Sequence, residues 1–262
     1  MLTRIIYGVI LLPIVVLIVN MGGEFLRFSL LLLSLLALNE TYRALFINGL
    51  LRIFGYIFLV VYYLFLDIFL ENFFALTLIW ILLNLIYMVI RYGYVNQMLC
   101  FANITAPIYT GVLLSTVYLS RDHNIYLVWL IFIGAWGSDT FAYFIGKLIG
   151  KTKLTPKLSP SKTVEGAIGG IVGASILGII YTFVLSNIFD NYSINLLWRY
   201  GITSAIIAVF AQIGDLIASS IKRQSGIKDF GSLIPGHGGA MDRFDSILVA
   251  GPVFYIILIY FL

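Results

Sequence analysis

The densest polar stretch in the chain begins at Ser219-Ser220-Ile221-Lys222-Arg223. It continues through Lys228-Asp229 and Pro235-Gly236-His237-Gly238-Gly239 to Asp242-Arg243-Phe244-Asp245-Ser246. Its carboxylates are hard oxygen donors suited to Mg²⁺, which takes one or two carboxylates and completes its octahedron with substrate phosphates and water. Its lysines and arginines can neutralise phosphate, the arginines bidentately. Gly236, Gly238 and Gly239 would let backbone N–H groups approach an anion closely. A basic loop resting on anionic lipid headgroups would account for the lysines. It would not account for the aspartates or for a histidine flanked by glycine.

A second stretch repeats the theme, with Lys147, Lys151, Lys153 and Lys157 ahead of Ser159-Pro160-Ser161-Lys162-Thr163-Val164-Glu165-Gly166. Ser161 or Thr163 can cap a helix that starts there, with Glu165 in its first turn. A helix N-terminus beside Lys162 is an anion site. The stretch lacks the GxxxxGK[ST] frame of a P-loop, so a nucleotide would have to bind differently. Two more carboxylates stand inside apolar runs, where an ionisable group is costly and therefore a functional candidate. They are Asp139 in Trp136-Gly137-Ser138-Asp139-Thr140 and Asp215 in Gln212-Ile213-Gly214-Asp215. Helical spacing sets Gln212, Asp215 and Ser219 on one face, and Asp139 with Tyr143 on another. An interhelical polar contact is the plainer role for each.

The elements that must position these groups are membrane helices. Of 262 residues, 61% are hydrophobic and only 11% charged, against about 25% charged in a soluble domain. Apolar runs such as Ile5–Val19, Ile53–Leu66, Phe73–Ile90, Ile125–Ile145 and Ile247–Leu262 follow one another with short polar breaks. Several approach the roughly 20 residues that cross a hydrocarbon core. Backbone in lipid must satisfy itself, and continuous runs are not the alternation of barrel strands. The expected fold is therefore an all-α polytopic membrane protein of about nine transmembrane helices. They are placed near 4–20, 25–40, 53–70, 73–90, 103–120, 125–146, 165–187, 198–219 and 246–262. The first lacks a small-residue cleavage site and is expected to be retained.

The expected organisation is an N-terminal transmembrane region over 1–124 and a C-terminal catalytic region over 125–262, with two polar loops at 147–164 and 220–245. All 16 lysines and arginines except Arg27, Arg121 and Arg199 fall on the side of the N-terminus and these loops, which the positive-inside bias assigns to the cytoplasm. Cys100 is the only cysteine, so no intramolecular disulfide or multi-cysteine metal cluster can form. The pairs Gly166/Gly170 and Gly169/Gly173 read as close helix packing.

The run Ser219-x-Ile-Lys222-Arg223-x4-Lys228-Asp229-x-Gly231-x2-Ile234-Pro235-x-His237-Gly238-Gly239-x2-Asp242-Arg243-Phe244-Asp245 resembles the signature of the phosphatidate cytidylyltransferases nearly position for position. Ala240 departs from it, where a larger apolar residue is usual. The Ser159–Gly166 stretch and Asp139-Thr-x-Ala-Tyr143 also look like that family, so specific motifs cover about residues 130 to 250. The resemblance implies transfer of CMP from CTP to phosphatidic acid in a bacterial cytoplasmic (inner) membrane, giving CDP-diacylglycerol and pyrophosphate. It implies Asp215 and Asp242 as ligands of Mg²⁺, with room for a second cation, and Asp245 as a further participant. Lys162, Lys222, Arg223, Lys228 and Arg243 would bind the triphosphate and the lipid phosphate, with Asp139, Ser159 and Thr163 also at the substrates. His237 would contact phosphate or carry a proton, and a histidine in a glycine turn is equally a structural residue. The expected partners are CTP, phosphatidic acid and membrane lipid, with no nucleic acid and with a homodimer left open. The rival readings are a CTP-dependent lipid kinase, which would move the γ-phosphate, and a secondary transporter with an ion site at Asp139 and Asp215. No inverted repeat supports transport, and the polar groups gather in loops.

Overall fold

The computed structural model describes residues 2–189, 196–232 and 238–262, with the side chains of residues 2–11 and 69 outside the description. The chain is helical nearly throughout. In order it forms α1 (Leu2–Met21), α2 (Gly23–Ala44), α3 (Leu50–Leu64), α4 (Leu66–Glu71), α5 (Phe73–Ile90) and α6 (Gln97–Pro107). A π-helical segment, Ile108–Val112, leads into α7 (Leu113–His123) and α8 (Trp129–Ile149). The strands β1 (Lys153–Thr155) and β2 (Ser159–Thr163) precede α9 (Val164–Ile188), α10 (Leu197–Gln224) and α11 (Met241–Tyr260). Among the described residues, six helical stretches have the length and apolarity to cross a membrane: α2, α5, Gln97–His123, α9, α10 and α11. Shorter apolar segments lie at Leu12–Met21 and Leu50–Leu64. The molecule is an α-helical membrane protein. Along α5 only Trp80 and Asn84 are buried, and Leu82, Leu83 and Ile86 are all more than half exposed. A soluble protein would not tolerate such a face, whereas hydrocarbon solvates it.

Several expected boundaries move. The span expected at 53–70 breaks at Phe65 into α3 and α4, and the one expected at 103–120 begins at Gln97 and runs through the π segment. Pro107 lacks the N–H that would continue the α ladder, and the segment that follows it is wound wider. The expected loop 147–164 is not all loop. It begins with the end of α8 and contains an antiparallel hairpin, with Lys153 opposite Thr163 and Thr155 opposite Ser159. The expected loop 220–245 is helical at both ends, because α10 runs to Gln224 and α11 starts at Met241.

The chain packs as two compact units. Met1–Tyr118 with Gln224–Arg243 forms one, and Leu119–Arg223 with Phe244–Leu262 forms the other. Residues 224–243, grouped by sequence with the C-terminal region, thus belong by contact to the first. That unit has a core of Leu38, Tyr42, Ile47, Leu51, Leu59, Cys100 and Ala106. Its buried polar groups satisfy one another, as apolar surroundings require. Tyr42 Oη donates to Asn103 Oδ1 at 2.5 Å, and Asn103 Nδ2 donates to Asn84 Oδ1 at 2.7 Å. The second unit is built on the pair α8 and α9, whose close approach rests on glycine. A Cβ on Gly169 would meet Ile145 Cδ1 at 2.4 Å, and one on Gly173 would meet Phe141 Cγ at 2.2 Å. The expected packing role of these glycines is thereby accounted for.

Candidate functional site

The N-terminus of α9 organises the second unit's polar end. Thr163 has extended backbone, and its Oγ1 accepts the Gly166 N–H at 3.2 Å, the expected N-cap. Glu165 in the first turn accepts the Lys151 and Thr152 N–H groups, each at 3.1 Å. These bonds fasten the start of the hairpin to the start of the helix. Val164 N–H donates to Thr152 O at 2.9 Å and closes the same corner. β2 is thus held where Lys162 faces α10.

Between the hairpin and helices α8, α9 and α10 lies a cavity of about 290 Å³. Asp139, Tyr143, Lys147, Lys162, Thr163 and Gln212 are among its lining residues. Gln212 Nε2 donates to Ser138 Oγ at 2.9 Å and to Ala167 O at 3.0 Å, tying α10 to α8 and α9. One turn along α10, Asp215 Oδ2 forms an ion pair with Lys162 Nζ, the side chains being 27% and 25% exposed respectively. Asp139 sits on an exposed part of α8 at the cavity wall. Gly214 lets α10 approach α11, since a Cβ there would meet Asp245 O at 2.6 Å. Asp245 is buried, and its Oδ1 accepts from Ser246 N at 2.8 Å and from Ser246 Oγ at 3.2 Å. The charges acting on it are those of Asp215, Lys222 and Asp139. Arg223 Nε reaches the hairpin turn at Leu158 O, 3.5 Å away.

Of the residues expected at the site, the second unit therefore brings together Asp139, Lys162, Thr163, Lys222, Asp215 and Asp245, with Arg223 and Ser159 at the hairpin. Lys228, Asp242 and Arg243 belong to the first unit. There Asp242 Oδ2 accepts Phe230 N–H at 2.8 Å and Gly239 N–H at 3.0 Å, folding the loop onto the start of α11. Lys228 and Arg243 are exposed. His237, with Ile234, Pro235 and Gly236, lies outside the described residues. A residue the sequence reading passed over is Glu40 of α2, whose carboxylate accepts the Ala240 and Met241 N–H groups. A carboxylate just after the apolar run Leu30–Leu38 was the signal available for it.

The residues present offer oxygen donors of the kind Mg²⁺ takes: the Asp139 carboxylate lines the cavity with Lys147 and Lys162, and Asp215 pairs with Lys162. No three His, Cys, Asp or Glu side chains converge on a metal-sized point among the described residues.

Known proteins resemble this chain over much of its length. Over 169 residues the chain is 36% identical to the phosphatidate cytidylyltransferase of Staphylococcus haemolyticus and 37% identical to that of Staphylococcus saprophyticus. It is 36% identical to that of Staphylococcus aureus over the same length. Each match covers 64% of this chain and 62% of the relative, so under two thirds of those proteins is spanned. The family model described as the cytidylyltransferase family matches residues 2–261. The chain belongs to the cytidylyltransferase family.

Proposed function

We propose that this protein transfers CMP from CTP to phosphatidic acid, releasing pyrophosphate and forming CDP-diacylglycerol in a bacterial cytoplasmic membrane. The observation that carries the proposal is the cavity under the hairpin. It sets Asp139, Lys162 and Gln212 around a space beside a helix N-terminus, with Asp215 paired to Lys162. A phosphate oxygen of phosphatidic acid attacks the α-phosphorus of CTP, the bond from that phosphorus to the bridging oxygen breaks, and pyrophosphate leaves with the electron pair. Such a transfer needs little covalent help, so in-line positioning and charge neutralisation supply the catalysis.

Lys162 orients the Asp215 carboxylate in the resting protein and gives its ammonium to phosphate oxygens when substrate enters. Lys222, Arg223, Lys228 and Arg243 spread the remaining triphosphate and lipid-phosphate charge, arginine by its planar fork. The amides at the start of α9 add dipolar stabilisation beside Lys162. Asp215 and Asp242 would hold Mg²⁺, with Asp245 a further participant and with room for a second cation. The ion, when bound, neutralises charge on the phosphates and orients the leaving group. His237 would contact phosphate or carry a proton, or serve the glycine turn structurally.

For topology we propose about nine spans, formed by α1, α2, α3, α5, Gln97–His123 and α8 to α11. The N-terminus, the hairpin and the 225–240 segment face the cytoplasm, on the positive-inside bias. The function is tested by giving purified protein CTP, Mg²⁺ and phosphatidic acid in mixed micelles, then analysing the lipid fraction by mass spectrometry. CDP-diacylglycerol should accumulate with both substrates and not with either alone. A pure, folded preparation that makes none of it would overturn the proposal.

A further inference from the structure

Glu40 is a carboxylate in the polar Asn39–Arg43 stretch that ends α2, the transfer chemistry assigns it no part, and it is only 6% exposed. A carboxylate taken out of water must find hydrogen bonds to be tolerated. Glu40 finds them 200 and 201 positions along the chain. Its Oε1 accepts the Ala240 N–H at 3.0 Å and its Oε2 accepts the Met241 N–H at 2.8 Å. These amides stand at the start of α11, where N–H groups lack intrahelical partners and the helix dipole favours an anion. Glu40 therefore caps α11 from another helix.

The same carboxylate explains two glycines of the signature. A Cβ on Gly239 would stand 2.3 Å from both Glu40 carboxylate oxygens, and one on Gly231 would stand 2.5 Å from Oε1. Neither glycine has a positive φ, whereas Gly238 has φ 84°. Gly238 is required by its backbone, and Gly231 and Gly239 by the group packed on them. From the other side Asp242 Oδ2 accepts the N–H groups of Gly239 and Phe230. One short turn is thus held by two carboxylates, and the residue that follows the amides bound by Glu40 is Asp242 itself.

We propose that Glu40 is a positioning residue for the transfer reaction, fixing the 238–242 turn and through it the Asp242 carboxylate. The inference rests on the reading of Asp242 as a Mg²⁺ ligand. Glu40→Gln keeps the volume and turns one acceptor into an N–H₂ donor facing an amide N–H.

Hydrogen exchange of the purified protein reads the contact directly. In Glu40→Gln, amides in a peptide covering 239–242 should exchange at least about tenfold faster than in the unaltered protein. Turnover should fall about 10–100-fold, and the Mg²⁺ concentration for half-maximal rate should rise by a similar factor. The KM for CTP at saturating Mg²⁺ should stay within about twofold, since the turn acts through the metal site. Gly231→Ala displaces the same carboxylate without altering it, and should shift the Mg²⁺ profile in the same direction. In a Glu40→Ala background it should add little, because the clash has gone. Unchanged exchange over 239–242 in Glu40→Gln would overturn the proposal, as would unshifted Mg²⁺ profiles in both Glu40→Gln and Gly231→Ala. Should Glu40→Gln not fold, Gly231→Ala decides alone. Full activity of Asp242→Asn would instead remove the underlying reading, an outcome distinct from loss of the Glu40 contact.

Discussion

Replacing Asp215 by asparagine removes the charge that Lys162 faces while keeping the shape of the side chain. Two unit charges about 4 Å apart interact by roughly 4 kcal/mol at an effective dielectric near 20. The side chains are 25% and 27% exposed, so water screens part of that attraction and desolvation offsets another part. A net coupling of about 1–2 kcal/mol is expected, between the values for exposed and buried pairs. Asp215→Asn leaves the ammonium without its counter-charge, and Lys162→Met leaves the carboxylate in the same position. Each should lower detergent-solubilised stability by about 1–3 kcal/mol, or roughly 2–6 °C in the unfolding midpoint at this chain length. The double variant should lose less than the sum of the singles by the coupling energy. The assay is thermal unfolding of all four proteins by intrinsic fluorescence in one detergent, alongside CDP-diacylglycerol formation. Turnover should fall by about 100-fold or more in all three variants, because charge stabilisation is lost whichever partner is removed. Strictly additive midpoint changes would refute the ion pair as a structural element, and near-normal turnover in Asp215→Asn would refute its part in the chemistry.

Thr163→Val should cost about 1 kcal/mol through the lost N-cap of α9, seen as a lower unfolding midpoint, while Thr163→Ser should retain most of it. Asp242→Asn should abolish turnover across a full Mg²⁺ titration while the protein still elutes as a folded species in detergent, since the carboxylate charge is what the ion needs. Chelating divalent cations should stop the reaction of the unaltered protein, and Mg²⁺ should restore it, with Ca²⁺ a poor substitute because its larger shell does not hold octahedral geometry. Ser161→Cys and Ser225→Cys, each in a Cys100→Ser background, should react with an impermeant maleimide from the cytoplasmic face only. Labelling from outside intact cells would reverse the topology.

The membrane helices were legible because hydrocarbon demands long uninterrupted apolar runs, and nothing else in a protein of this size produces so many. Their ends were less so. Residues 220–224 and 241–245 are polar yet helical, because a membrane helix can continue past the hydrocarbon into water, where composition no longer marks it. The break at Phe65 has no glycine or proline to announce it, and Asp67 just beyond it is a lone charge in an apolar run. The hairpin at Lys153–Thr163 was missed because a short strand pair over Pro160 and lysines has no alternating pattern, and what holds it is the pairing of Thr152 and Glu165. The cap at Thr163 was readable, since a threonine ahead of an apolar run with an acid in the first turn is a local signal. Glu40 illustrates the opposite case. Its residue type was suggestive, but its partners lie 200 positions away, and only the fold brings Gly231, Gly239 and Met241 to it. The motif gave the chemical types at the site. That Asp215 and Asp242 belong to different compact units is a property of long-range packing, which no spacing along the chain encodes.

The central claim is that the reaction occurs at the α-phosphorus of CTP, and one isotope experiment addresses it. Both nucleotidyl transfer and a lipid kinase reaction would use CTP, a divalent cation, the basic residues and a lipid acceptor, so variants of those shared groups cannot separate them. Purified protein is incubated with phosphatidic acid, Mg²⁺ and CTP labelled either at the α- or at the γ-phosphate, and the chloroform-soluble and aqueous fractions are counted. Attack at the α-phosphorus should carry the α-label into lipid and leave the γ-label as water-soluble pyrophosphate. Lipid labelled from γ, with none from α, would contradict the account.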